Sequence, residues 1–352
     1  MAETRHFPIF DQKPSEDFVN AWREHTDATG YPELFDKVST AKPHNLADVY
    51  LLSGEIQVKT HLREGGSWVP CPLCQPNSPK FKLGRLAWFP HELTVLFIGN
   101  DCAKNHIGED YRRAEERFSQ ESKCRRYIKQ WDQLQERLPA LHYLVKELLP
   151  IASALETCRY QLDKDASGFA SFLYRELRWS AGVITVTEDS GLRDQHGRGI
   201  LEKRDLGKVQ GLEFLDGDGR PAAALKKHLE TLEDIARPLP EWRADSDDDP
   251  ATTDDILKRG SKGVSVLKKL RQARESIASA RRFLDAPNLT LLERWAQYGE
   301  SPFASLEFRR EGNRVFLRSE TFEARHYSNI TIPKELDASL PDDGSLEPLE
   351  EY

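Results

Sequence analysis

The sequence Val69-Pro70-Cys71-Pro72-Leu73-Cys74, followed 27 residues later by Cys102-Ala103-Lys104-Asn105-His106, decides the fold of the first part of the chain. Cysteine sulfur and histidine nitrogen are the preferred zinc ligands, and C-x-x-C is a common ligand spacing. The two-residue gap lets Cys71 and Cys74 point at one ion, while Cys102 and His106, four residues apart, share one side of a helix. The sequence predicts a zinc site formed by Cys71, Cys74, Cys102 and His106.

The residues between the two ligand pairs have the pattern of a β-hairpin. Residues 84–89 and 93–98 are rich in aromatic and β-branched side chains and flank the turn Pro90-His91-Glu92. A helix is predicted to follow, with Asp101 as its N-cap. The turn that carries Cys71 and Cys74, the hairpin and the helix follow one another in this order over residues 68–118. This order resembles a treble-clef zinc finger. The resemblance implies a zinc-centred scaffold and no particular activity.

Four protein ligands fill a tetrahedral zinc site, so the predicted ion is structural rather than catalytic. His91 and His61 are alternative fourth ligands. Both rank below His106, because His91 would have to fold back from the far end of the hairpin. The competing interpretation is that the pattern arises by chance among the 5 cysteines of a reduced protein.

Composition limits the class of protein. The chain has 352 residues, of which 38% are hydrophobic and 31% charged, which suits two or three modules with long, solvent-exposed helices. No apolar run reaches the length of a membrane span, and the N-terminus lacks a signal-peptide pattern. We expect a bacterial-type cytoplasmic protein without membrane contact, in which the thiols stay reduced.

The pattern along the chain predicts an α+β fold that is predominantly α. From residue 107 onward, apolar residues recur at helical intervals, and Pro139 and Pro150 predict several packed helices rather than one rod. The expected parts are an N-terminal module (1–118) containing the finger (68–118), a helical bundle or coiled coil (107–237) with a β insertion (183–215), an acidic linker (238–256), a basic helix with a β-hairpin (257–332) and a disordered acidic tail (333–352).

Asp216-Gly217-Asp218-Gly219 superficially matches a calcium loop. Arg220 and Lys227 stand where such a loop needs oxygen ligands, so the sequence predicts a tight turn before a helix at 221–236.

Residues 257–318 carry an excess of lysine and arginine, although the whole chain has a net charge of −8. This surface is a candidate for binding nucleic-acid phosphates, for which the acidic tail would compete. Lys80, Lys82 and Arg85 would add phosphate contacts, and Trp88 or Phe89 a stacking surface. Alternatively, the basic residues pair with acidic groups of the same chain. The candidate nucleic-acid-binding residues are Lys268, Lys269, Arg271, Arg274, Arg281, Arg309 and Arg310.

The sequence lacks the motifs of phosphate-binding loops, serine hydrolases and zinc proteases. Cys124 lies beside Lys123 and Arg125, which would lower its pKa, but no catalytic base accompanies it. Cys158 falls in an apolar stripe and is predicted to be core. We therefore expect a non-enzymatic, intracellular zinc-binding protein whose finger anchors a helical scaffold for nucleic acid or protein. The alternatives are a protein adaptor or homodimerising scaffold and, third, a cryptic metal-dependent nuclease.

Overall fold

The computed structural model describes residues 4–193, 195–217, 220–243 and 250–350, with the backbone alone at 75–77. The fold is α+β with helices predominating, as predicted. The chain forms two compact units. Unit 1 comprises Met1–Arg126 and Trp242–Thr253, and unit 2 comprises Tyr127–Glu241 and Asp254–Tyr352.

Unit 1 begins with helix α1 (Glu16–Thr29). Its N-cap is Ser15, whose hydroxyl accepts a hydrogen bond from the backbone N–H of Phe18 at 3.3 Å. The helix ends at Gly30, which adopts the left-handed conformation that favours glycine. The fully buried Trp22 anchors α1, and its indole N–H donates to the carbonyl of Pro32.

The central sheet of unit 1 has five strands, and four of them lie in the order β1-β7-β6-β2. Strand β3 also pairs with β6, and β4 and β5 form a separate hairpin. Only β1 and β7 run parallel among the described pairs of this unit. The strands are β1 (Val38–Ser39), β2 (Tyr50–Leu51), β3 (Ile56–Gln57), β4 (Val69–Cys71), β5 (Gln75–Phe81), β6 (Leu83–Phe89) and β7 (Thr94–Gly99).

The β6–β7 hairpin matches the predicted one closely, with a single 3₁₀ turn at Pro90–Glu92 between the strands. Helix α2 (Asn100–His106) follows directly. Its N-cap is Gly99 rather than the predicted Asp101, which lies inside the first turn.

Helix α3 (Glu109–Asp165) is continuous over 57 residues with Pro139 and Pro150 inside it. The prediction of several helices broken at these prolines was wrong. An internal proline costs about 3 kcal/mol or more, whereas each fully buried leucine or isoleucine contributes about 1.5–3 kcal/mol. The buried side chains around the two prolines outweigh that cost. They are Leu134, Leu141, Leu144, Val145, Leu148, Ile151 and Leu155.

Unit 2 continues with α4 (Phe169–Arg178), strands β8 (Val183–Arg193) and β9 (Gly199–Lys208), and α5 (Pro221–Ile235). The β8–β9 hairpin lies within the expected β insertion (183–215). Asp218 and Gly219 of the rejected calcium loop lie outside the described residues.

Helix α6 (Pro250–Arg282) packs closely against α3. A Cβ atom at Gly260 would lie 2.6 Å from Cβ of Tyr127, and one at Gly263 would lie 2.7 Å from the Trp131 ring. The two glycines therefore let the backbone of α6 approach these aromatic side chains. Asp254 and Asp255, predicted in the linker, belong to α6, while Asp245, Asp247, Asp248 and Asp249 lie outside the described residues.

The last elements are α7 (Ala286–Trp295) and a three-stranded antiparallel sheet in the order β10-β11-β12. The sequence predicted a hairpin from β10 (Phe303–Glu311) and β11 (Arg314–Thr321) and missed β12 (Arg325–Thr331). In β12 the core-facing residues include Ser328, so hydrophobic alternation is weak there.

Residues 333–350, here called the C-terminal strap, are ordered against unit 2 and differ from the predicted disordered tail. They contain 3₁₀ turns at Lys334–Asp337 and Gly344–Leu346. Leu336 and Leu346 are buried in the core of unit 2, and Leu340 and Leu349 pack against it. Burial of these four leucines explains the order of an otherwise acidic segment. Among the described helices, none combines the length and apolarity that crossing a bilayer requires.

Candidate metal centre

Three of the four predicted ligands converge in unit 1. Cys71 ends β4, Cys74 lies in the turn before β5, and Cys102 lies in the first turn of α2. Their sulfur atoms all lie within 4.8 Å of one another, and the sulfur atoms of Cys74 and Cys102 are 3.2 Å apart. The three thiols are close enough to hold a metal ion.

The chemistry of this donor set fits a thiophilic cation. A tetrahedral ion with metal–sulfur distances of about 2.3 Å places its ligands about 3.8 Å apart. The observed cluster needs only small side-chain movements to reach that spacing, given that all its sulfur atoms lie within 4.8 Å. Cys71 and Cys102 are buried and Cys74 is half-buried, so water has limited access to the centre.

Burial raises the pKa of the Cys71 thiol and raises the pKa of Cys102 to about 12. Hydrogen bonds from the backbone of Gly99 and Leu73 oppose the shift at Cys71. Without a cation, burial therefore favours the neutral thiol at Cys71 and Cys102. A bound metal would supply the positive charge that stabilises three thiolates, with release of protons.

The structure does not place His106 in this cluster. His106 is the last residue of α2 and is exposed. Of the two alternatives, His61 is exposed in the 3₁₀ turn Thr60–Leu62, and His91 lies with Nε2 3.1 Å from a carboxylate oxygen of Asp48.

The cysteines form part of a buried apolar cluster. The cluster combines side chains from the sheet, α2 and the start of α3. Its buried members are Val49, Leu51, Cys71, Leu73, Ala87, Phe89, Leu96, Ile98, Cys102, Ala103, Tyr111 and Ala114.

A polar chain missed by sequence reasoning ties α2 to its surroundings. The hydroxyl of Tyr111 donates to the side-chain oxygen of Asn100 at 3.1 Å, and the amide of Asn100 donates to the carboxylate of Glu55. Burial, with a smaller contribution from Glu115, raises the pKa of Tyr111. Since Asn100 is the first residue of α2, this chain fixes the helix start two residues before Cys102.

The remaining two cysteines are buried outside the cluster. Burial raises the pKa of Cys124, with Glu121 as a smaller cause, so the predicted lowering by Lys123 and Arg125 was wrong. Burial also raises the pKa of Cys158 to about 11. Neither thiol is activated as a nucleophile.

Most of the candidate nucleic-acid-binding arginines contact the C-terminal strap. Arg274 donates to the carbonyl of Pro341 at 2.9 Å and forms an ion pair with Asp343, and Arg281 donates to the carbonyl of Ala338 at 2.8 Å. Arg271 donates to the carbonyl of Leu346 and Arg310 to the Asp337 carboxylate. In the sequence analysis, the alternative to phosphate binding was that these basic residues pair with groups of the same chain. The contacts of the four arginines with the strap show such pairing.

The other candidates, Lys268, Lys269 and Arg309, are exposed. Trp88 is 8% exposed and Phe89 is fully buried, so neither ring is available to stack on a base.

Comparison with known proteins adds no family assignment: no protein-family model, no curated protein and no solved structure matches this chain.

Proposed function

We propose that the protein is a non-enzymatic zinc-binding protein whose ion is held by Cys71, Cys74, Cys102 and His106 in a treble-clef-like arrangement. The observation that supports this is the convergence of three thiols, from two segments far apart in sequence, within 4.8 Å. Among cytosolic metals, zinc suits a closed site of soft sulfur ligands and one imidazole.

His106 is the proposed fourth ligand because it lies one helical turn after Cys102 on the same side of α2. It is exposed, so its side chain can rotate toward the sulfur cluster without breaking core packing. A fourth protein ligand closes the coordination sphere and leaves no position for a reactive water, which assigns the ion a structural role.

The proposed role of the ion is to join the β4–β5 turn to the start of α2. The Tyr111–Asn100 hydrogen bond then holds the start of α2 in a fixed position relative to α3. We infer that the helical scaffold serves macromolecular binding, with nucleic acid as the partner. The alternatives are a protein adaptor, or a homodimer through a coiled coil of its helices, and a nuclease. The nuclease has least support, since His91 is engaged with Asp48.

The test is metal analysis of the purified protein. We expect about one zinc per chain in the wild type, loss of zinc in Cys74→Ser, and retention in Cys124→Ser, which alters a buried cysteine outside the cluster. His106→Ala should lower zinc affinity, with His91→Ala as its matched control. Unchanged zinc content in Cys74→Ser would contradict the proposed zinc site. Equal zinc affinities of the two histidine variants would exclude His106 as a ligand.

A further inference from the structure

The sheet β10-β11-β12 has one face packed on the core of unit 2 and one face open to solvent. Burial alternates along all three strands, with Leu306, Phe308, Val315, Leu317 and Ile330 on the core side. The cross-strand register places Glu307, Arg318 and Tyr327 in one row of the open face, and Arg309, Phe316 and Asn329 in the next. We call this open surface the outer sheet face.

Aromatic rings stand on and beside the outer sheet face. Tyr327 is 64% exposed, and Phe322, in the turn between β11 and β12, is 96% exposed. Phe316 is half-buried on the central strand and lies diagonally next to Tyr327. These rings leave apolar surface in water, because the core lies on the opposite face of the sheet.

Cations surround these rings. Arg309 pairs with Glu311 at 3.2 Å and Arg325 pairs with Glu320 at 2.7 Å, so two of the acidic groups on the outer sheet face are already neutralised. The side chains of Arg314 and Arg318 are exposed and make no hydrogen bond or ion pair with any part of the chain that the structure describes. Among the described residues of this face, Glu307 is the one acidic residue whose side chain makes no hydrogen bond or ion pair. Free guanidinium groups therefore outnumber free carboxylates.

We propose that the outer sheet face binds single-stranded nucleic acid. Bases stack on Tyr327 and Phe316, and Arg314 and Arg318 contact phosphates. Stacking needs bases that are not hidden in a duplex, and every base offers a ring face, so rings on an open sheet combined with arginines suit a single strand without strict sequence preference. This inference rests on the proposed function and names its binding site.

The outer sheet face replaces the α6 surface that composition suggested. On α6, the side chains of Arg271, Arg274 and Arg281 donate hydrogen bonds to backbone carbonyls of the C-terminal strap. Arg309 is the only residue of the predicted set of seven that lies on the outer sheet face. Lys268 remains exposed on α6 and serves as a control for non-specific attraction of phosphates.

The test is fluorescence anisotropy of the full-length, zinc-loaded protein with short single-stranded DNA, single-stranded RNA and duplex DNA. Wild type should bind the single strands more tightly than the duplex. Tyr327→Ala should weaken binding by about 5- to 100-fold, the range expected for loss of one stacking contact. Tyr327→Phe should retain binding, because its ring is intact. Tyr143→Ala removes a tyrosine of similar exposure (61%) on α3 and should change nothing.

Arg318→Glu should weaken binding and lower the slope of log affinity against log salt by about 0.7 for each lost phosphate contact, whereas Lys268→Glu should leave both unchanged. The proposal is overturned by a wild type that binds no single strand at about 50 mM salt, by preferential duplex binding, or by equal affinities of Tyr327→Ala and Tyr143→Ala. Zinc content measured in the same preparations separates the metal site from the nucleic-acid site. Protein that holds zinc but binds no strand contradicts the nucleic-acid partner and leaves the metal site standing, and protein that binds strands without zinc contradicts only the metal site. Strand binding that Tyr327→Ala does not weaken contradicts only the outer sheet face as its location.

Discussion

Cys74 and Cys102 have sulfur atoms 3.2 Å apart although 28 positions separate them in the chain. The β6–β7 hairpin spans this interval and returns the chain to the β4–β5 turn. The sheet and its apolar core therefore bring together two thiols that are distant in the sequence. Ligands positioned by a folded sheet lose less conformational entropy on metal binding than ligands on a segment that must fold around its ion.

Removal of the proposed zinc should loosen the site locally. Because the cysteine cluster belongs to a buried apolar core, we expect hydrogen-exchange protection to fall in the β4–β5 turn and α2, and to persist in β6 and β7. Exchange with and without chelator measures this. Equal protection in both states would argue against a structural ion, and loss of protection throughout unit 1 would mean that its core depends on the metal.

The buried ion pair of Arg63 and Glu33 should be important for the stability of unit 1. Two guanidinium–carboxylate contacts, at 2.6 and 3.1 Å, join the side chains, and Arg63 also donates to the carbonyl of Gly30 at 2.7 Å. Arg63→Ala should cost about 3–5 kcal/mol, because it leaves a buried carboxylate unpaired. Arg63→Met combined with Glu33→Leu should cost much less. Denaturant unfolding compares them, and equal losses would contradict this account.

Gly260→Ala should destabilise unit 2 even though alanine is the better helix former. The new methyl group would lie 2.6 Å from Cβ of Tyr127, a contact that the helix backbones must relieve. Overpacking costs about 1–3 kcal/mol, against a gain in helix propensity of about 1 kcal/mol. Ser261→Ala, at the exposed neighbouring position, is the control. Thermal unfolding with Gly260→Ala at or above the wild-type midpoint would show that α6 has room to move.

The Cys158 thiol should make stability depend on alkaline pH. Its pKa is raised from 9.0 to about 11 in the folded chain, so the folded state favours the neutral thiol. The stabilisation is complete below the unfolded pKa and is lost as pH rises toward the folded pKa. This thiol alone should lower the free energy of unfolding by about 1.4 kcal/mol between pH 8 and pH 10. Cys158→Ala should lack that increment, and identical pH slopes would refute it.

The C-terminal strap should stabilise unit 2 through its leucines. Leu336→Ala and Leu346→Ala each remove a buried side chain and should cost about 2–5 kcal/mol. Leu192→Ala and Leu201→Ala, at positions 64% and 68% exposed, should stay within about 0.5 kcal/mol of wild type. Denaturant midpoints for the four variants provide the measurement. Similar values for the two pairs would mean that the strap is not part of the folded core.

The parts of the fold that the sequence predicted well have strong local signals. Strands β6 and β7 are rich in aromatic and β-branched residues and flank a proline at the turn, and α5 begins with Pro221 at its first position. The three cysteines of the site were recognisable because C-x-x-C is a metal-ligand spacing and a reduced protein does not use its cysteines in disulfides.

The predictions that were wrong concern features that depend on tertiary packing rather than on local sequence. Pro139 and Pro150 break helices in isolation, and only the buried faces on either side explain why α3 continues through them. The order of the strap was not predicted because its composition is acidic. Its packing against the core comes from four leucines among those acidic residues. The position of the His106 side chain depends on a rotamer and on a metal ion, neither of which residue spacing determines.

The C-terminal strap also determines when unit 2 can finish folding during synthesis. Its buried Leu346 packs in the same core as Leu141 of α3, and at bacterial or eukaryotic translation rates roughly 10–40 s separate the synthesis of these two residues. The buried members of the apolar cluster around the cysteines, by contrast, lie between Val49 and Ala114. A nascent chain can therefore assemble its metal-binding cluster early, while the unit 2 core residues that Leu336 and Leu346 cover, and the arginines that the strap contacts, stay accessible to chaperones until the strap is made.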